Sequence, residues 1–247
     1  MENLTPEQGA VGKKVPAGAY KCIFFDLDHT LWDFEKNSRE ALVEMYHHFE
    51  LSKTGISSID EFIDHYYVIN EEMWDKYSKD IISKDELRND RFYLALKNFN
   101  INNRELGEKM ATYYVSASPY KTHLFKDCHL VLTELKKKFK LHIITNGFEE
   151  VQYIKLNTTG LTSYFEHVVT SEKAGVKKPA KGIFDYALKL SGAELEKSIM
   201  IGDGIETDIL AAKNAGMDQV FFNPKKHQIN FSPTHTIVEL SQLLELL

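Results

Sequence analysis

Five short apolar runs alternate with helical patterns along this sequence, and that alternation constrains the fold more than any other feature. Runs of this length without polar alternation are typical of strands buried on both faces of a sheet. Between them, apolar residues recur at helical spacing, as at Val131, Leu132 and Leu135. Strands alternating with helices predict an α/β fold with a parallel sheet. The runs cover residues 22–25, 141–144, 167–169, 199–201 and 219–222.

A long segment without strand signals separates the first run from the second. It carries four amphipathic stripes, beginning at Leu42, Phe62, Phe92 and Leu106, and it ends before Pro119. A crossover between parallel strands needs only about 30 residues, so we expect a separate all-helical domain here. The predicted division is a core of residues 20–34 and 119–247, a helical domain of residues 35–118, and a flexible N-terminal extension of residues 1–19.

Composition excludes several classes of protein. The 247 residues include 30 Lys and Arg against 36 Asp and Glu, a net charge of −6, whereas nucleic-acid binders are basic. No apolar run approaches the roughly 20 residues that cross a bilayer. Cys22 and Cys128 cannot form a disulfide framework, and the ten histidines show no zinc-site spacing. We expect a cytoplasmic enzyme or binding domain, a monomer or weak homodimer, without nucleic-acid or membrane partners.

Polar clusters occur where the predicted strands end. Ligands of open parallel sheets bind outside the carboxyl ends of the strands, so these clusters are the candidate site. If the chain stays extended after the first run, Asp26 and Asp28 point the same way. The clusters are Asp26-Leu27-Asp28-His29-Thr30, Thr145-Asn146-Gly147, Lys177-Lys178-Pro179, and Gly202-Asp203 followed by Asp208.

These residue types together suit phosphate chemistry. Several carboxylates in one cleft repel one another unless a cation compensates them, and all-oxygen ligation indicates Mg²⁺. A carboxylate could attack phosphorus while a neighbouring carboxyl group acts as acid and base. Thr145 and Lys178 could hold the phosphoryl oxygens. The sequence predicts hydrolysis of a small phosphorylated metabolite.

The four clusters, in this order, resemble the motifs of the haloacid dehalogenase (HAD) superfamily of Mg²⁺-dependent phosphatases. Residues 26–30 match its Asp-x-Asp-x-Thr motif, and residues 145–147 match its Thr motif. Lys178-Pro179 is similar to the lysine motif, and Gly202-Asp203 with Asp208 to the acidic metal motif. The resemblance spans residues 20 to about 224 and implies a Rossmann-like core with an inserted helical cap of the C1 type.

The resemblance also implies roles for individual residues. Asp26 would be the nucleophile and Asp28 the general acid and base. Asp26, the backbone carbonyl of Asp28, and Asp203 would hold Mg²⁺, with Asp208 supporting them. The substrate would be bound by Thr145, Asn146 and Lys178.

A finer resemblance is to the pyrimidine 5′-nucleotidase branch of that superfamily. It is carried by residues 143–148, 159–165, 171–176 and 183–188, and it implies a pyrimidine nucleoside 5′-monophosphate as substrate. These segments lie in the core, whereas substrate choice normally comes from the cap. One departure is Gly204, where many relatives carry Ser or Thr.

Other interpretations remain open at this point. Each motif alone could be a turn or a helix cap. Within the superfamily, the alternatives are a phosphoglycolate or sugar-phosphate phosphatase, a phosphomutase and a 2-haloacid dehalogenase. Without metal, the dehalogenase would leave the charges of Asp28, Asp203 and Asp208 uncompensated. A catalytically silent binding protein is a further alternative. We also expect the cap to open and close about residues 32–36 and 118–122.

Overall fold

A six-stranded parallel sheet forms the centre of the protein in a computed structural model that describes residues 20–247. The predicted N-terminal extension lies outside the described residues. The strand order is β3-β2-β1-β4-β5-β6, which confirms the Rossmann-like α/β prediction. All five predicted strands form, and a sixth, β6, pairs with β5 at the edge. The strands are β1 Cys22–Phe25, β2 Lys140–Thr145, β3 His167–Thr170, β4 Ser198–Gly202, β5 Asp218–Phe222 and β6 His235–Ile237.

Helices cover both faces of this sheet. Alternate residues of each strand point to opposite faces. Phe25 therefore packs with α5 (Cys128–Lys136) on one face, while Phe24 packs with α8 (Lys181–Ser191) and α9 (Ala211–Ala215) on the other. A π-helical turn, Ile205–Leu210, leads into α9, which ends at Gly216 with a positive φ of 88°. The core helices are α5 Cys128–Lys136, α6 Glu149–Thr158, α7 Ser171–Ala174, α8 Lys181–Ser191, α9 Ala211–Ala215 and α10 Leu243–Leu246.

The first four helices, which lie between β1 and α5, form a unit with a hydrophobic core of its own. The four predicted stripes fall on these helices, and their buried side chains, such as Leu42, Phe62, Phe92 and Met110, form a separate cluster. Side chains cap each N-terminus, including a capping box at Ser83. The helices are α1 Phe34–His48, α2 Ile59–Ser78, α3 Lys84–Lys97 and α4 Arg104–Ala117.

The two connections between this helical unit and the sheet run side by side. The fully buried Trp32 donates from its indole nitrogen to the carbonyl of Lys121 at 3.0 Å. The Asn37 amide donates to the carbonyls of Asp33 and His123 and accepts from the His123 N–H, at 2.8–2.9 Å. One buried asparagine therefore ties the outgoing and returning chain segments together.

Within residues 20–247, no helix combines the length and the apolar character that crossing a bilayer would need.

Candidate active site

The predicted site residues converge at the carboxyl edge of the three central strands. β1 lies between β2 and β4, with Phe25 paired to Ile143 on one side and Ile201 on the other. Asp26 comes directly after β1, Thr145 ends β2, and Asp203 comes directly after β4. The parallel register therefore brings three motifs that are distant in sequence to one edge.

Lys178 occupies the centre of this edge. Its ammonium group contacts an Asp26 carboxylate oxygen at 2.6 Å and an Asp208 carboxylate oxygen at 2.5 Å. It also donates to the carbonyl of Ile144 at 3.0 Å. Lys178 is 2% exposed, and the two carboxylates hold its pKa above the usual range despite burial. It is thus a buried, charged counterion shared between two aspartates.

Asp26, Asp203 and Asp208 form an acidic triad whose ligating oxygens all lie within 4.8 Å of one another. Burial, and then the neighbouring carboxylates, raise the pKa of Asp26 to about 7 although Lys178 opposes the shift. The same causes raise the pKa of Asp203 well above its usual range. Thr30 donates to Asp203 at 3.0 Å. A single ammonium group therefore leaves the negative charge of the triad undercompensated.

That donor set fits a hard divalent cation. The triad offers only oxygen ligands, which Mg²⁺ prefers, and a cation would relieve the repulsion that raises these pKa values. The acidic triad could therefore hold such an ion together with neighbouring backbone carbonyl oxygens.

Two glycines leave room for Asp208 to lie close to Asp26 and Asp203. A Cβ atom on Gly202 would lie 2.4 Å from a carboxylate oxygen of Asp208, and one on Gly204 would lie 2.2 Å from the Thr207 hydroxyl. The backbone N–H of Gly204 donates to Asp208 at 2.9 Å. A larger residue at either position would have to displace a side chain of this loop.

The carboxylate of Asp28 lies apart from Lys178 and the acidic triad. It accepts from the Gln152 amide at 2.8 Å and from the Lys155 ammonium at 2.5 Å. Burial alone would raise the pKa of Asp28, but Lys155 and Gln152 more than offset this and lower it. We predicted that Asp26 and Asp28 point the same way if the chain stays extended. β1 ends at Phe25, and the Asp26 carboxylate is bound by Lys178 whereas the Asp28 carboxylate is bound by α6.

Gln152 and Lys155 are site residues that the sequence analysis missed. Both lie on α6 and are almost fully buried, and Lys155 lies 4.2 Å from the ring centre of Trp32. These two residues are not part of a recognisable motif, since Gln and Lys are common on amphipathic helices. Only their position on the first helix after the Thr motif could have indicated that they lie near the site.

The side chains of Thr145 and Asn146 have different hydrogen-bond partners. The Thr145 hydroxyl accepts from the Gly147 N–H at 3.0 Å and from Gln152 at 2.8 Å. The Asn146 side chain pairs with the backbone of Lys178, donating to its carbonyl and accepting from its N–H, both at 2.8 Å. Asn146 therefore fixes the segment that carries Lys178.

The helical unit covers one side of this edge through an aromatic contact. Phe148, after the Thr motif, packs with its ring centre 5.5 Å from Trp74 and 5.9 Å from Tyr77 on α2. Lys84 at the start of α3 bridges to Glu172 of the core at 2.7 Å. The helical unit therefore contacts the core beside the site through an aromatic cluster and an ion pair next to it.

Known proteins are similar to this chain over most of its length. The haloacid dehalogenase-like hydrolase family matches residues 20–216. The chain is 32% identical to the pyrimidine 5′-nucleotidase YjjG of Escherichia coli K12, over 91% of this chain and 96% of that protein. It is 30% identical to the pyrimidine 5′-nucleotidase PynA of Streptococcus pneumoniae, over 92% and 95%.

A solved structure is also similar over nearly the whole chain. The HAD-hydrolase YfnB of Bacillus subtilis superposes with a TM-score of 0.83 at 27% identity, covering 92% of this chain and 98% of that one. That structure is described as bound to magnesium and as revealing interdomain movement.

Proposed function

Because the chain belongs to the haloacid dehalogenase-like hydrolases, we propose that it is a Mg²⁺-dependent phosphomonoesterase that works through an aspartyl-phosphate. The family makes it a hydrolase of the phosphatase type; the metal, the residue roles and the substrate are the proposal. One observation carries it: Asp26 lies at the sheet edge in contact with a buried ammonium group and beside two further carboxylates. That setting suits attack on an anionic phosphoryl group.

In the first step a carboxylate oxygen of Asp26 forms a bond to phosphorus, and the bond from phosphorus to the substrate oxygen breaks. Asp28 gives its proton to the departing alcohol. In the second step Asp28 takes a proton from water, whose oxygen attacks phosphorus and releases phosphate and the Asp26 carboxylate. Lys178 and the Thr145 hydroxyl bind phosphoryl oxygens as charge spreads over them.

Asp28 must leave its present partners to act. Its carboxylate is held by Gln152 and Lys155, which favour the ionised form suited to taking a proton from water. The acid role requires a protonated Asp28, so we propose that substrate binding rotates this side chain away from Lys155.

The proposed metal site consists of Asp26, the Asp28 backbone carbonyl and Asp203, supported by Asp208. When bound there, Mg²⁺ supplies positive charge that offsets the three carboxylates and the incoming phosphate. Asp208 also holds Lys178 at 2.5 Å, so it links the proposed metal site to the proposed phosphate site.

For the substrate we propose a pyrimidine nucleoside 5′-monophosphate. The two nucleotidases at 30–32% identity over more than nine-tenths of the chain support this choice. We further propose that residues 35–118 act as a cap over the core of residues 20–34 and 119–247. Trp74 and Tyr77 lie where that cap meets the site and offer aromatic faces beside it.

Replacing the proposed nucleophile gives the first test. Asp26→Asn should lower phosphate release from the best substrate by at least about a thousandfold, because an amide oxygen cannot form the covalent intermediate. Asp185→Asn, on an exposed face of α8, is the matched control and should keep full activity. Circular dichroism checks that both variants fold. Substantial turnover by folded Asp26→Asn would contradict the mechanism.

Metal removal and a substrate panel give the second test. EDTA should abolish phosphate release, and added Mg²⁺ should restore it. The panel compares pyrimidine and purine nucleoside monophosphates, sugar phosphates and phosphoglycolate, with 2-chloropropionate for dehalogenation. Preference for a sugar phosphate would overturn the substrate proposal only. EDTA-resistant chloride release, or no phosphate release from any compound, would overturn the proposed activity.

A further inference from the structure

A histidine without polar partners lies inside the sheet, away from the candidate active site. His142 on β2 is fully buried, and neither of its ring nitrogens has a hydrogen-bond partner. Buried polar atoms nearly always have one. His142 therefore offers a buried ring nitrogen without a partner, and neutral imidazole nitrogens of this kind are common metal ligands.

Two further metal-ligating side chains lie beside it. The parallel register pairs His142 with His167 on β3, and the ring centres are 5.4 Å apart with nearly parallel planes. Glu166 directly precedes β3. One ligating atom from each of the three residues lies within 4.8 Å of the other two. Glu166 contacts Lys140 at 3.4 Å, and its side chain is 45% exposed.

We propose that His142, Glu166 and His167 bind a divalent transition-metal ion of the Zn²⁺ type. Two imidazole nitrogens and one carboxylate are a common zinc donor set that leaves a fourth position for water, whereas Mg²⁺ prefers oxygen ligands alone. This ligand set is therefore selective against the ion proposed for the active site.

The cluster reaches the surface through Glu166. That residue lines a surface depression that also carries several lysines, among them Lys140, so an entering cation passes positively charged side chains. Because parallel ring planes do not aim their lone pairs at one point, the half-buried His167 ring must turn out of its stack. The His142 ring is fully buried and packs against Phe24, so we expect it to supply the fixed ligand.

The position of the cluster indicates what the ion would do. β3 is an edge strand of the sheet, and the cluster lies near the amino ends of β2 and β3, opposite the edge that carries Asp26. An ion here would link the edge strand to its neighbour. It would stabilise the fold without touching the reacting groups.

The test measures Co²⁺ and Zn²⁺ binding by the full chain in excess Mg²⁺, which occupies oxygen-only sites. Co²⁺ should bind with the absorption spectrum of nitrogen ligation, and Zn²⁺ should raise the melting temperature. In His167→Gln the affinity should fall about tenfold or more, by loss of a ligand, while phosphatase activity stays unchanged. Glu166→Gln should act in the same direction, and His47→Gln, an exposed histidine on α1, is the control.

Three results would overturn this proposal. One is the absence of stoichiometric Co²⁺ or Zn²⁺ binding by the wild-type protein. Another is equal affinity in wild type and His167→Gln. The third is loss of binding in Asp203→Asn but not in His167→Gln, which would assign the ion to the acidic triad. Because His167 and Glu166 are partly exposed, substituting them tests the site without creating a cavity in the hydrophobic core.

Discussion

Lys178 shares its buried ammonium group between Asp26 and Asp208, and this charge is what allows two carboxylates to lie so close together in a buried site. A buried charge that loses its partner is costly, because the remaining charge keeps the penalty of leaving water. The lysine therefore contributes to folding as well as to the proposed phosphate binding.

Lys178→Met should destabilise the metal-free protein by about 3–5 kcal/mol, since it leaves buried carboxylates unpaired. Millimolar Mg²⁺ should recover part of this loss, because a ligand that binds only the folded state stabilises it. Urea denaturation in EDTA and in Mg²⁺ measures both effects. The control Lys181→Met breaks an exposed pair with Asp185 and should cost less than about 1 kcal/mol. Equal losses for the two variants would contradict this interpretation.

For individual residues, the sequence predicted the members of the candidate active site that follow strand ends but not those that lie on helices. Asp26, Thr145 and Asp203 each follow an apolar run, so the topology of a parallel sheet brings them together. Gln152 and Lys155 reach Asp28 from α6, and helical spacing alone cannot tell which polar side chain turns inward. The proposed zinc ligands were missed for a similar reason, because strand register, not spacing along one segment, makes His142 and His167 neighbours.

Among the elements, the paired connections between the helical unit and the sheet are joined by backbone hydrogen bonds and by the buried side chain of Asn37. Asn37→Ala should destabilise the protein by about 2–4 kcal/mol, because it removes three hydrogen bonds and leaves backbone groups of Asp33 and His123 without those partners. Chemical denaturation measures the loss. Asn98→Ala, at an exposed position at the end of α3, should change stability by about 0.5 kcal/mol or less. A similarly small effect at Asn37 would show that the connections are held by other contacts.

Element prediction succeeded where apolar residues formed a run or a stripe and failed where they formed neither. The stripes on α1 to α4 predicted those helices, and the five apolar runs predicted five strands. β6 has only three residues, His235–Ile237, with one buried apolar side chain, so no apolar run marked it. The π-helical turn before α9 was not predicted either, because its conformation depends on Asp208 folding back to the Gly204 N–H.

On the scale of the whole molecule, the helical unit and the sheet have separate cores joined by two connections and the Phe148 contact. The protein has two tryptophans: Trp32 is fully buried at the connections, and Trp74 lies at the contact with Phe148. If the cap opens and closes as we propose, quenching by acrylamide reports mainly on Trp74.

Saturation with Mg²⁺ and inorganic phosphate should reduce acrylamide quenching of the wild-type protein, because ligand binding shifts the population toward the arrangement that covers Trp74. Stern–Volmer measurements with and without the ligands provide the comparison. Trp74→Phe is the control and should show weak quenching under both conditions. Unchanged quenching in ligand-saturated wild type would count against cap closure.

Because backbone hydrogen bonds, Trp32 and Asn37 join the outgoing and returning segments, the ends of the helical unit are neighbours in space although far apart in sequence. Insertions whose ends lie close together are exchanged between proteins with little effect on the host fold. We therefore expect that the helical unit can be exchanged for another. A different set of helices joined at the same two points could change which molecules reach the sheet edge, while the residues at that edge stay the same.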